Sequence, residues 1–110
     1  MRDARIALGN LAIDLERYTV RVGSRRVELT YLEFETLKCL LDRRGTLVSR
    51  DQLVHALWGE SPTAELVLQR RLNTHISRLR HKLAESAPWT IATVAKRGYV
   101  LSDDAGGDEE

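Results

Sequence analysis

The chain has 110 residues, a formal net charge of +1, 43% hydrophobic and 30% charged content, and one cysteine, which is enough for one domain with a real core and too little for two ordinary ones. No apolar run approaches the roughly 18 residues needed to span a bilayer, and the N-terminal MRDARIALGN has no signal-peptide core, so the expected location is cytoplasmic. Cys39 alone excludes an internal disulfide and a cysteine-based zinc site.

Residues 6–29 read as four short strands: Ile6 and Leu8, then Leu11, Ile13 and Leu15, then Tyr18, Val20 and Val22, then Val27 and Leu29. Apolar residues alternate with polar ones, and Gly9-Asn10, Glu16-Arg17 and Gly23-Ser24 supply the turns, which predicts an antiparallel meander with one buried face. Thr30 and Glu33 then form a T-x-x-E capping box, in which hydroxyl and carboxylate satisfy the free amides of a helix start. The first helix is predicted from Tyr31 to Arg43, ending near Gly45. Phe34, Leu37 and Leu41 lie on one side of it and Leu32, Cys39 and Leu40 toward the other, so it is expected to be sandwiched between the sheet and the later helices, with Cys39 a small buried apolar residue.

Thr46-Leu47-Val48 reads as an isolated strand. Ser49 and Gln52 form a second capping box, opening a helix from Arg50 to Leu57 with Leu53, Ala56 and Leu57 inward, and Trp58-Gly59 closes it. Trp58 is either core or a rim residue. Glu60-Ser61-Pro62-Thr63 forms a linker, and Pro62 fits the first turn of a long helix starting as early as Ala64 and running to about Glu85. Within it Leu72, Ile76, Leu79 and Leu83 recur at steps of 4, 3 and 4, one apolar stripe of a helix. At about 100° per residue, Arg70, Thr74, Ser77, Arg78 and His81 fall opposite the stripe, with Arg71 and Lys82 on one flank and Asn73 and Arg80 on the other. Arginine forks suit phosphates and guanine edges, and short Thr and Ser side chains let a helix approach a groove. The competing reading of this segment is a solvated basic face on an ordinary core helix.

After Pro88-Trp89, residues Thr90–Val94 read as a strand, Ala95-Lys96-Arg97-Gly98 as a turn and Tyr99–Leu101 as the return strand. The near-zero net charge hides an asymmetry. Residues 1–69 carry ten bases and ten acids, residues 70–97 carry seven bases against Glu85 alone, and the last nine, SDDAGGDEE, hold five acids. A basic helix followed by a hairpin with two cations at its tip is a more specific signal than either part, because one can occupy the major groove while the other lies on the flanking backbone or minor groove. The acidic residues 103–110 read as a separate disordered tail beyond a domain of residues 1–102.

These residues resemble a known family. The four N-terminal strands, L-T-x-x-E-F from Leu29, G-x-x-V-S-R from Gly45, L-W-G from Leu57, R-x-L-N-x-H-I-S-R-L-R-x-K-L from Arg70 and T-V-x-x-x-G-Y from Thr93, in that order, are similar to the OmpR/PhoB-type effector domain. The resemblance covers about residues 6–101. It implies an α+β winged helix-turn-helix with an N-terminal four-stranded antiparallel sheet, three helices and a C-terminal β-hairpin wing. It further implies a bacterial transcriptional regulator in which residues 70–83 form the recognition helix. Base contacts are then expected from Arg71, Thr74 and Arg78, and backbone contacts from Trp58, Arg70, His75, Ser77, Arg80, Thr93 and Tyr99, with Lys96 and Arg97 as the wing's cations. Implied partners are double-stranded DNA, a head-to-tail second copy on direct repeats, and RNA polymerase. Members are often fused to the receiver of a two-component system, and no receiver lies in these residues. Arg71 stands where Thr or Ser is usual and Asn73 where Asp is usual. Ala95-Lys96 replaces the frequent Arg-Gly, so the wing is closer to the ToxR/CadC-like branch. The stretch between Gly59 and Arg70 is longer than usual, which puts a polymerase contact there in question.

Two rival classes remain at this stage. An enzyme is disfavoured because His55, His75 and His81 lack metal-ligand spacing and no nucleophile motif, phosphate loop or paired carboxylates occur, and no cofactor is expected. A winged helix that has lost DNA binding and serves as a protein-interaction module is the closer rival. Arg70, Arg78 and Arg80 speak against it, since partner surfaces more often carry aromatic or aliphatic anchors.

Overall fold

The computed structural model describes residues 4–59 and 66–103. Four short antiparallel strands come first, β1 (Arg5–Leu8), β2 (Leu11–Asp14), β3 (Thr19–Val22) and β4 (Arg25–Val27), paired in chain order. Their alternation places Leu8, Leu11, Ile13, Val20, Val22 and Val27 on one buried face. Three helices follow, α1 (Tyr31–Asp42), α2 (Arg50–Trp58) and α3 (Leu66–Lys82). A second sheet of order β5-β7-β6 completes the fold, built from β5 (Val48–Ser49), β6 (Thr90–Val94) and β7 (Gly98–Ser102). This is the winged helix-turn-helix arrangement expected from the motifs. The predicted linker at residues 60–63, the helix start at Ala64 and the acidic residues 104–110 lie outside the described residues.

Both predicted capping boxes form. Thr30 Oγ1 accepts from the Glu33 amide at 3.2 Å while Glu33 Oε1 accepts from the Thr30 amide at 2.9 Å, and Ser49 and Gln52 repeat the exchange at 3.0 and 2.9 Å. Each box satisfies amides that a helix start leaves free. Gly59 ends α2 in the left-handed region at φ 69°, and its amide donates to His55 O.

On α1, Phe34, Leu37, Leu40 and Leu41 are buried, while Leu32 and Cys39, expected on a second buried side, are only half-buried, so the helix buries one broad face. Thr36 and Glu33 are buried as well, which hydropathy alone hides. Thr36 Oγ1 donates to Leu32 O at 2.8 Å, a local bond that lets a hydroxyl enter the core. Cys39 is half-buried. Burial pushes its thiol pKa up, and Glu35 and Asp42 add to this against Lys38, which favours the protonated thiol over the nucleophilic thiolate.

Four expectations are corrected. Tyr18 was placed in a strand, but the Asp14 carboxylate accepts from the Glu16 and Arg17 amides at 3.0 and 3.1 Å and builds a turn. Tyr18 leaves that turn at φ 56°, 43% exposed, stacked on Phe34 and donating its hydroxyl to Glu35 at 2.9 Å. Leu15 and Leu29 likewise lie outside the strands. In α2, Val54 is buried and Ala56 exposed, because that helix packs through Leu53 and Val54. The strand at 46–48 is not isolated: β5 pairs antiparallel with β7, Val48 opposite Tyr99 and Ser49 opposite Gly98. A Cβ at residue 98 would lie 2.1 Å from Val48 O, so glycine there is what allows the wing to join the helix-turn-helix.

Candidate nucleic-acid interface

The helix that carries the candidate residues is held by its apolar stripe. Leu72, Ile76, Leu79 and Leu83 are 0–5% exposed, and Leu68 extends the stripe toward the N-terminus. With that face fixed, helical periodicity turns the polar residues outward. Arg70, Arg71, Thr74, His75 and Arg78 line one open basin along the outer surface of α3. Its three arginines and Thr74 are exposed, as is the neighbouring Ser77. Five of the predicted residues therefore come together on one surface.

His75 sits at the inner side of that basin. Its Nε2 is enclosed and has no hydrogen-bond partner among the described residues, and its ring meets Trp58 edge to face with centroids 6.2 Å apart. Trp58 is half-buried and packs against the core, so it joins α2 to α3 from the rim of the core.

A second group of predicted residues joins α3 to the wing. Arg80 Nε donates to Ile91 O at 3.0 Å, its terminal nitrogen donates to Thr93 Oγ1, and its guanidinium lies 5.7 Å from the Tyr99 ring centroid. Tyr99 is buried, and its hydroxyl donates to Asn73 Oδ1 at 2.9 Å. Arg80, Thr93 and Tyr99 thus spend hydrogen bonds on one another and on Asn73, fixing the hairpin against the helix. Asn73 is the acceptor in this joint.

Lys96 and Arg97 are exposed at the hairpin tip, Lys96 in the left-handed region at φ 65°. The tip is anchored by the Arg50 amide, which donates to Arg97 O at 3.2 Å. One cation counted on the outer flank of α3 turns inward. Lys82 Nζ lies 2.6 Å from Glu33 Oε1, with side-chain exposures of 34% and 3%. Burial alone would raise the Glu33 carboxyl pKa, but the Lys82 hydrogen bond, the Thr30 amide and the charges of Lys82 and His75 outweigh it and lower it. The pair joins the capping box of α1 to the last turn of α3. Its one signal in the sequence was the box itself, because nothing in the spacing says that a residue 49 positions away completes it.

Among the described residues no group of three or more His, Cys, Asp or Glu could hold a metal ion, and no helix is long and apolar enough to cross a membrane.

Comparison with known proteins agrees with this geometry. The family described as "Transcriptional regulatory protein, C terminal" matches residues 24–101. Over 100 residues the chain is 37% identical to the cell cycle transcriptional regulator CtrA of Caulobacter vibrioides, covering 89% of this chain and 42% of that protein. The chain spans about two fifths of the length of the curated relatives it matches. The RstA DNA-binding domain of Klebsiella pneumoniae, solved in complex with the RstA box, is similar with a TM-score of 0.78 and 32% identity, covering 90% of this chain and 97% of that one. The response regulator DrrB, a Thermotoga maritima OmpR/PhoB homologue, is similar with a TM-score of 0.76 and 28% identity, covering 90% of this chain and 44% of that one.

Proposed function

Since the chain belongs to the family of C-terminal transcriptional regulatory domains, we propose that it binds double-stranded DNA sequence-specifically, as the effector part of a bacterial response regulator acting in the cytoplasm. In this reading α3 enters the major groove, and the hairpin tip at residues 95–98 lies on the flanking backbone or minor groove. The observation that carries it is the basin of Arg70, Arg71, Thr74, His75 and Arg78 on the outer surface of a helix whose other face is locked into the core.

Arg78, Thr74 and Arg71 are the base readers. Arg78 is the best placed for a bidentate guanine contact, and the exposed Arg71 brings a second fork where a shorter side chain would leave the base edge free. Arg70, Ser77, Lys96 and Arg97 meet phosphates directly. Trp58, His75, Arg80, Thr93 and Tyr99 reach the backbone from the two joints that hold α2, α3 and the wing together, where Arg80, Thr93 and Tyr99 already make hydrogen bonds and Trp58 and His75 meet ring to ring. Head-to-tail pairing on direct repeats belongs to the same reading, and RNA polymerase is a further partner it allows. A protein-interaction module would present apolar anchors on this surface, whereas three arginines line it.

Selection of binding sites from a random duplex library tests the proposal. The expected result is enrichment of a direct repeat with half-sites about one helical turn apart. Recovery of unenriched sequence would refute sequence-specific binding.

A further inference from the structure

The C-terminal end of α3 is gripped from the N-terminal sheet, far away in sequence. Arg25, the first residue of β4, donates from its two terminal nitrogens to Ala84 O at 2.8 Å and Lys82 O at 3.4 Å. Asn10, in the β1–β2 turn, does three things at once: its amide side chain donates to Glu85 O at 3.0 Å and accepts from the Ala87 amide at 2.7 Å, and its backbone N–H donates to Ala87 O at 2.9 Å. Gly9 makes this approach possible, since a Cβ there would lie 2.2 Å from Ala87 O and 2.3 Å from Pro88 Cδ. Lys82 O is a final helix carbonyl without an intrahelical donor at the negative end of the dipole, which suits the Arg25 guanidinium, and Asn10 holds the turn just behind it through Glu85 and Ala87.

A half-open hollow of about 220 Å³ lies between sheet, helix end and wing base, lined by Leu11, Leu83, Trp89, Ile91 and Leu101 among others. Close packing resists displacement, and a hollow leaves room for it. The polar grip therefore shares with the Lys82–Glu33 pair in fixing where the last turn of α3 points, and Arg78 lies only about one turn before it.

We propose that Asn10 and Arg25 are positioning residues for recognition: they set the angle at which α3 meets the groove, and so discrimination between sites rather than attraction to DNA. The inference rests on the DNA-binding reading above. Neither residue lies in the basin, so each acts through α3. A base-reading constellation tolerates displacements of only about 0.5 Å, and a misaligned bidentate contact forfeits discrimination, whereas a phosphate contact through a long cationic side chain adjusts.

The test compares the parent chain with Asn10→Ala and Arg25→Lys on the enriched duplex site and on mixed-sequence duplex, at a temperature where thermal melts show each protein fully folded. Arg25→Lys keeps the charge but not the two-carbonyl fork. The expected result is a loss of about tenfold in affinity for the enriched site, the order of one weakened base contact, with mixed-sequence affinity and its salt dependence unchanged. Equal losses on both duplexes, or an unchanged ratio in folded variants, would overturn the proposal. Failure of the parent chain to enrich any site would instead refute the DNA-binding reading, before any variant is compared.

Discussion

Replacing Glu33 by Gln isolates the ion pair between α1 and the end of α3. The carboxylate is 3% exposed and accepts from Lys82 Nζ at 2.6 Å and from the Thr30 amide at 2.9 Å. Glutamine keeps an oxygen for the capping bond and removes the charge that Lys82 faces. Lys82 is 34% exposed, so water screens part of the loss, and the expected cost is about 1–3 kcal/mol, the range for a hydrogen bond to a charged group. Near a hundred residues each kcal/mol moves the midpoint by roughly 4–8 °C, well within reach of thermal melts followed by circular dichroism. Lys82→Met should cost more, about 3–5 kcal/mol, because it strands the more deeply buried partner. The pair also gives a pH dependence. The Glu33 pKa is lowered in the folded chain from an ordinary 4.5, so its contribution is fully present above that value and is lost as pH falls through the folded pKa. Glu33→Gln should therefore lose less stability than the parent chain between pH 5 and the acid limit. Equal stability of parent and variant at pH 7, or equal acid sensitivity, would refute the pairing.

Other substitutions separate reading from holding. Arg78→Ala should cost about 1–3 kcal/mol of binding and relax preference at a single base pair, as scored by affinity across a set of singly substituted sites; a uniform loss would make Arg78 a phosphate contact. Lys96→Ala combined with Arg97→Ala should weaken binding in gel-shift titrations without changing the preferred site, and no effect would remove the hairpin tip from the interface. Gly98→Ala should destabilise the fold by about 1–3 kcal/mol in urea titration, because the added methyl meets the Val48 carbonyl.

Where local chemistry fixes the backbone, the sequence was a sound guide. Thr30-Glu33 and Ser49-Gln52 announce helix starts because the partners are three residues apart, and the stripe from Leu72 to Leu83 announces its own buried face. What stayed hidden depends on distant partners. Tyr18 alternates like a strand residue, yet the Asp14 turn and the Phe34 ring decide its place. Lys82 sits on an outward flank by periodicity, but its long side chain reaches a buried carboxylate. Arg25 and Asn10 look like ordinary turn and edge residues, and only the fold brings them to the end of α3. On α3, periodicity placed Arg70, Arg71, Thr74 and Arg78 on the outward side and Arg80 on a flank, because one helix carries them all. His75, Thr93 and Tyr99 entered through the family resemblance, and the fold joins Thr93 and Tyr99 to Arg80.

The salt dependence of duplex binding tests the central claim most directly. With Arg70, Arg80, Lys96 and Arg97 neutralising phosphates, log affinity should fall linearly with log salt with a slope of roughly −3 to −4 per protomer. A slope near zero would contradict the assignment of this surface to DNA.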